Sequence, residues 1–319
     1  MKALGLTDEE GCMKNPLLLG CVALAVFSLV MAGCDSTTEP IEDELSALEA
    51  MILEDELFTS DKAMLSDADQ YSLGKTVTPI LPVAWGRRVD SVSRTITFDR
   101  SGDSVVIATI VFTMSGEIKI AAKDSPQDTT ITIVSKPFTE TTTRKLRFFK
   151  VANTDRPRQN WRFREISGVD GGTTTSSAIT FNELLVIMGS DTLTVTDPTE
   201  FYLRFADFAF TGRRMPTLDA STNASVRLTI TSTESDTDFV FLHRPFQRLN
   251  TSIRPLRARM TLVSQTGSGP YTRVYELSWN SHVSGRHHFF VSGITRNSLF
   301  DDVAPWSTKI WGIPYIVSP

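Results

Sequence analysis

Cysteine is scarce and sits where it cannot cross-link a folded body: the 319 residues hold three, Cys12, Cys21 and Cys34, and none after them. Everything beyond Cys34 must therefore be held by a hydrophobic core and not by internal disulfides. Histidine is nearly as rare, at four residues. No G-x-S-x-G elbow, H-E-x-x-H pair or C-x-x-C pair occurs, so serine-hydrolase, zinc-protease and thiol-redox chemistry have no motif to carry them. The net charge of -5 argues against a chain built for nucleic acid. No cofactor is expected, no metal site is assigned, and the chain is not expected to be an enzyme.

What is present begins at the N-terminus. From Met13 the chain reads Met-Lys-Asn, then an almost wholly apolar run from Pro16 to Leu29, then Ala32 and Gly33 before Cys34. This is the three-part layout of a secretory signal peptide, and Leu17 to Ala32 is shorter than the roughly 20 residues a membrane-spanning helix needs. The stretch Val30-Met31-Ala32-Gly33-Cys34 resembles the lipobox of bacterial lipoproteins, with Met31 where leucine is commonest. That resemblance implies cleavage after residue 33 and lipidation of Cys34, which then anchors the protein in a membrane. One acyl chain holds a protein only marginally, whereas two or more hold it durably. Residues 1–12 are acidic at Asp8, Glu9 and Glu10, where a basic segment is expected, so translation is expected to start at Met13. The expected location is the outer membrane or cell surface; the periplasmic face of the inner membrane is the alternative.

Residues 34–75 read as a polar tether and short helices. Ile41, Leu45, Leu48 and Ile52 recur at the helical period, Pro40 suits a first turn, and Glu42, Asp43 and Glu44 complement the positive helix end. A helix over 40–56 is predicted, with a second short one after Ser60-Asp61. This helix either packs on the following domain or acts as a spacer or partner-binding element.

From Thr76 the period changes to two. Ile96 and Phe98, a Gly-containing turn at 99–103, and the apolar run Val105 to Phe112 predict a hairpin. Ile118/Ile120, Ile131/Ile133, Leu146/Phe148, Trp161/Phe163 and Leu184 to Met188 continue the pattern, making a meander of about eight strands over 76–196, curved or partly closed as a barrel. Seven further strands are predicted over 197–319, from Phe201 to Tyr315, and their number and spacing give this region a weak resemblance to immunoglobulin-like β-sandwich domains, without the Cys…Trp…Cys signature. The fold class expected is mostly β: a meander or open barrel followed by a sandwich, divided near Asp197-Pro198.

The densest local charge is basic, Arg144 to Arg164. If Leu146/Phe148 and Trp161/Phe163 face the core, Lys145, Arg147, Arg162 and Arg164 lie together on the opposite face of neighbouring strands, where like charges repel. The set reads either as a solvated face paired with acids from elsewhere or as a contact for a polyanion such as an acidic polysaccharide. His287 and His288 are adjacent on a strand and point to opposite faces, which argues against a metal shared with His282. Glu234, Asp236 and Asp238, and Asp301 with Asp302, lack the loop spacing of an EF-hand and read as solvated turns or, less readily, a calcium site. Trp311, Ile313 and Tyr315 alternate as one face of a terminal strand and are expected in the core with Trp306, the other reading being a sugar-stacking platform.

These features predict a lipid-anchored envelope protein that acts by binding or as a structural surface component, with an envelope protein or acidic polysaccharide as partner. A carbohydrate-active hydrolase, which needs two converging carboxylates, and a periplasmic assembly or lipid-handling factor, which needs an apolar cavity, are the alternatives.

Overall fold

Leu45, Leu48 and Ile52 fall on one side of a helix that runs Ile41–Glu54, α1. Leu48 and Ile52 are fully buried, a contribution of about 1.5–3 kcal/mol each. The helix is held at its rim by ion pairs: Glu44 to Arg100 at 2.7 Å and Lys150 at 3.1 Å, Glu54 to Arg158, and Asp55 to Arg286 at 2.9 Å. It is therefore a layer packed on the β body. The computed structural model describes residues 41–55, 80–174, 178–205, 213–246, 254–281 and 284–319. The predicted signal peptide, Cys34, the tether, the second short helix and His282 lie outside the described residues.

The protein is mostly β. Three long strands lead, β1 (Leu81–Arg100), β2 (Val105–Lys123) and β3 (Thr132–Lys150), paired as an antiparallel meander. The expected hairpin at 96–112 is its lower end, but Ile118/Ile120 continue β2, and Ile133 shares β3 with Leu146 and Phe148. Gly116 lies inside β2 beside the β1 irregularity between Val89 and Ser91. A Cβ there would lie 2.0 Å from the Arg88 carbonyl oxygen, so the glycine permits close backbone approach at a bulge and not a chain reversal. Pro137 is tolerated in β3 because residues 132–138 pair with β2 alone among the described residues.

After the single turn α2 (Pro157–Asn160) come β4 (Trp161–Ser167), β5 (Val169–Thr173), β6 (Ile179–Met188) and β7 (Asp191–Val195). Next are β8 (Tyr202–Arg204), β9 (Arg213–Arg214), β10 (Thr217–Asp219), β11 (Asn223–Ser232) and β12 (Phe239–Phe246). The chain ends with β13 (Arg254–Arg259), β14 (Thr261–Thr266), β15 (Tyr271–Asn280), β16 (Gly285–Ile294), the short helix α3 (Arg296–Phe300) and β17 (Thr308–Ser318).

Among the described residues these strands make two open sheets. The larger has twelve strands along the path β13-β12-β16-β17-β5-β3-β4-β8-β9, with β1 and β2 continuing from β3 and β10 added in parallel to β17; the smaller is β14-β15-β11-β6-β7. This corrects the expected division near 197. β6 pairs with β11, and β17 pairs with β5, so each sheet takes strands from both sides of that position, and residues 41–319 form one compact unit. Residues 197–319 are accordingly not a separate immunoglobulin-like sandwich. Sequence periodicity identifies strands, but their partners depend on contacts far apart in the chain, which periodicity does not encode.

The two sheets meet over a shared core, in which Phe181 of β6 lies edge-on to Trp311 of β17 at 5.5 Å and Trp279 packs on Phe289 at 5.7 Å. Trp311, Ile313 and Tyr315 are buried there as expected. The larger sheet also curls: Trp85 of β1 touches Phe241 of β12 at 6.0 Å, and the Arg257 guanidinium of β13 lies 3.8 Å over the Trp85 ring. Its distant strands thus meet across the concave face, where a second core gathers Ile118, Phe138, Phe300 and Trp306. No hydrogen-bonded ladder joins β1 to β13 among the described residues, so the barrel stays open.

Candidate binding surface

The predicted basic set is placed on the outer side of β3 and β4, but carboxylates are interleaved with it. A register shift between Arg147 and Phe148 sets Glu165 opposite Arg147, and their side chains pair at 3.1 Å. Arg147 also lies 3.5 Å over the Tyr202 ring, and burial raises the Tyr202 hydroxyl above its ordinary range. Lys145 pairs with Glu200, whose hydrogen bond raises the ammonium's pKa. Arg162 is exposed and donates to the Arg158 and Trp161 carbonyl oxygens at 3.4 and 3.1 Å, and Arg164 is half-buried. The bulge, invisible in the sequence, replaces the expected like-charge facing by an opposite-charge pair.

The acidic groups resolve in the same way. Asp238 is buried against Arg273, Asp236 lies 3.6 Å from Arg296, and Glu234 accepts the Asn297 N–H at 3.3 Å. Asp301 accepts the Val303 and Ala304 N–H groups at 2.8 and 3.0 Å, which with Lys136 holds its carboxyl below the usual range. His287 lies 5.6 Å from the Tyr315 ring while His288 is buried on the other face beside Phe290. Among the described residues no three His, Cys, Asp or Glu side chains converge as a metal ion needs.

A buried polar belt crosses the concave face, and nothing in the sequence marked it. Glu140 accepts bonds from Arg87 at 2.9 Å, Trp306 Nε1–H at 3.0 Å and the Thr308 hydroxyl at 2.9 Å. His243 Nε2 lies 2.7 Å from the Ser292 hydroxyl. Burial, then the positive charges of Arg257 and Arg87, push its pKa well below the ordinary histidine value, so the imidazole is neutral. This serine–histidine contact differs from a nucleophile–base pair in two respects: both side chains are buried, and Nδ1 meets no orienting carboxylate among the described residues. Hydrophobic neighbours and the three donors gathered on Glu140 Oε1 make the belt a structural layer.

The outward face of β1–β3 carries a regular array of hydroxyls. Ser91, Ser93, Thr95 and Thr97 of β1 stand opposite Ser115, Thr113, Val111 and Thr109 of β2, and these in turn oppose Thr139, Thr141, Thr143 and Lys145 of β3. Every position except Val111 and Lys145 bears a hydroxyl, and all are exposed or half-buried. Strand geometry fixes the spacing at about 4.8 Å across strands and about 6.8 Å along them. The sequence shows Thr139, Thr141 and Thr143 at period two, but only the register lines them up with β1 and β2.

The array ends at a cleft of about 380 Å³ where the smaller sheet begins; Thr141, Asp170, Thr173, Thr180 and Lys309 contribute to its lining. The rows run into it, because Thr143 opposes Asp170 and Thr141 opposes Gly172. The Asp170 carboxylate is fixed by Trp311 Nε1–H at 2.8 Å and Lys309 Nζ at 2.6 Å, yet stays partly exposed. Gly171 and Gly172 are required by strand packing: a Cβ would lie 2.2 Å from the Thr141 oxygen and 2.3 Å from the Thr308 oxygen respectively. Neither family models nor curated proteins give a match to this chain.

Proposed function

We propose that this chain is a lipid-anchored extracytoplasmic binding protein of a bacterial envelope. The observation that carries the reading is the apolar run closing in Val30-Met31-Ala32-Gly33-Cys34, the pattern on which lipidation of a cysteine depends. Two features of the rest of the chain support it. The region after Cys34 has no cysteine and is held by extensive apolar cores, as an exported body without disulfides must be. Because α1 packs on the sheet, residues 35–40 alone separate the anchoring cysteine from the folded body. Lipid fixes the N-terminus, and rigid β faces are presented to a partner in the envelope.

The hydrolase alternative needs two carboxylates converging on one bond; in the cleft lining the carboxylate is that of Asp170. The reading is tested by palmitate labelling and fractionation of cells expressing the native chain and Cys34→Ala, followed by protease treatment of intact cells. Label and membrane retention that both depend on Cys34 support the anchor. An unlabelled, freely released native chain overturns it. Cleavage in intact cells places the body at the surface, and protection until the envelope is opened places it in the periplasm.

A further inference from the structure

We propose that the hydroxyl array of β1–β3 and the adjoining cleft form a binding face for a neutral polysaccharide chain. This deepens the reading of the protein as an envelope binding protein by naming the class of partner and its site. Serine and threonine hydroxyls each donate one hydrogen bond and accept two, so a grid of them matches a ligand whose own surface is hydroxyls. Threonine adds a methyl group beside each hydroxyl, which suits the C–H faces of a sugar ring. The array carries no carboxylate, and its one cation, Lys145, is already paired with Glu200, so a charged polymer finds no counter-charge here.

The cleft supplies an anchor point at the end of the rows. Trp311 and Lys309 both hold Asp170 Oδ1, while the lone pairs of Oδ2 can accept hydrogen bonds from two vicinal hydroxyls. The array needs little ordering on binding. Threonine is stiff at its first torsion, and both flanking strands of β2 hold it in register over its whole length. Preorganisation of this kind lowers the entropic cost of association, and repetition along a polymer compounds weak contacts.

The test is affinity electrophoresis of the full chain through gels containing dextran, laminarin, yeast mannan or galactan, with heparin as the charged comparison. At least one neutral polymer is expected to retard the native chain, with retardation unchanged at 0.5 M salt. Thr113→Val with Thr141→Val keeps shape and strand propensity while removing two central hydroxyls, and it should weaken retardation at least fivefold; Asp170→Asn should weaken it separately. A circular dichroism spectrum and melting temperature matching the native chain are required of each variant. Retardation by none of the four polymers, or undiminished retardation of the double valine variant, overturns the proposal. Retardation by heparin alone, lost in salt, also overturns it and points to the Arg147 face. Loss of palmitate labelling leaves this result untouched, so the anchor and the binding face fail independently.

Discussion

Asp238 and Arg273 form an ion pair from which solvent is wholly excluded: Nη1 lies 2.5 Å from Oδ2 and neither side chain is exposed. Arg273 is satisfied further by the Glu234 and Ser235 carbonyl oxygens at 2.7 and 2.9 Å and by Gln265 Oε1 at 2.7 Å. It thereby ties β15 of the smaller sheet to the turn that leads into β12 of the larger one. Removing one member strands a buried charge, which costs about 3–5 kcal/mol. Arg273→Met is expected to lower the urea unfolding free energy by that amount. Arg273→Met with Asp238→Leu should recover part of it, because no unpaired charge remains. A single-variant cost below about 1 kcal/mol would contradict the burial argument.

The same carboxylate sets a pH dependence. Burial pushes Asp238 up to about 6, with Arg273 and the Ser232 hydroxyl offsetting only part of the effect. Between the unfolded value near 4 and about 6, the folded state therefore binds more proton than the unfolded state. Stability from this group falls as pH rises through that window and levels off above it. Native chain and Asp238→Asn should differ in the slope of melting temperature against pH between 4 and 6, the native chain losing ground as pH rises. Parallel curves, or a carbon-13 titration of the carboxyl with its midpoint below 4, would refute the assignment.

The helix α1 separates packing from charge. Leu48 is fully buried, and Leu48→Ala is expected to cost about 2–5 kcal/mol. Glu44 is paired on the rim: burial acts to raise its pKa, but hydrogen bonds from Arg100 and Lys150 outweigh this and lower it. Glu44→Gln should cost no more than about 1 kcal/mol, since partly exposed pairs contribute little. Native-state hydrogen exchange is the measurement, with Leu48→Ala accelerating α1 amides far more than Glu44→Gln. Equal acceleration would mean that the ion pairs, and not the apolar stripe, hold the helix.

Local patterns made much of the protein legible. The period of three and four at Leu45, Leu48 and Ile52 identified α1 to within two residues at each end, and the alternation at Trp311, Ile313 and Tyr315 placed a core strand correctly. Partner choice was not legible. β17 pairs with β5, more than 130 residues earlier in the chain as Trp311 and Asp170 show, and no periodicity specifies that contact. The binding face illustrates the same limit. Thr95, Thr113 and Thr143 are unremarkable in a threonine-rich chain until the ladders bring their strands into one plane. Asp170 and Lys309 likewise meet only because β5 and β17 are neighbours.

Gly116 lies where the run Val105 to Phe112 and the pair Ile118/Ile120 join as one continuous strand, so its substitution tests the architecture directly. An added Cβ would lie 2.0 Å from the Arg88 carbonyl oxygen and 3.0 Å from the Asp90 nitrogen, both backbone atoms that cannot rotate away. β1 would have to separate from β2 at the bulge between Val89 and Ser91. Overpacking of this sort typically costs about 1–3 kcal/mol. Gly116→Ala is expected to lose at least that much, with amides of 86–92 and 114–118 losing hydrogen-exchange protection before the rest of the meander. Gly102, in the β1–β2 turn with φ +72° and open space around its Cβ position, is the control. There alanine meets backbone strain without a clash, a cost of about 1–2 kcal/mol, and loss of protection should stay at the turn. If both variants exchange alike, the close approach at Gly116 is not what fixes the course of β1.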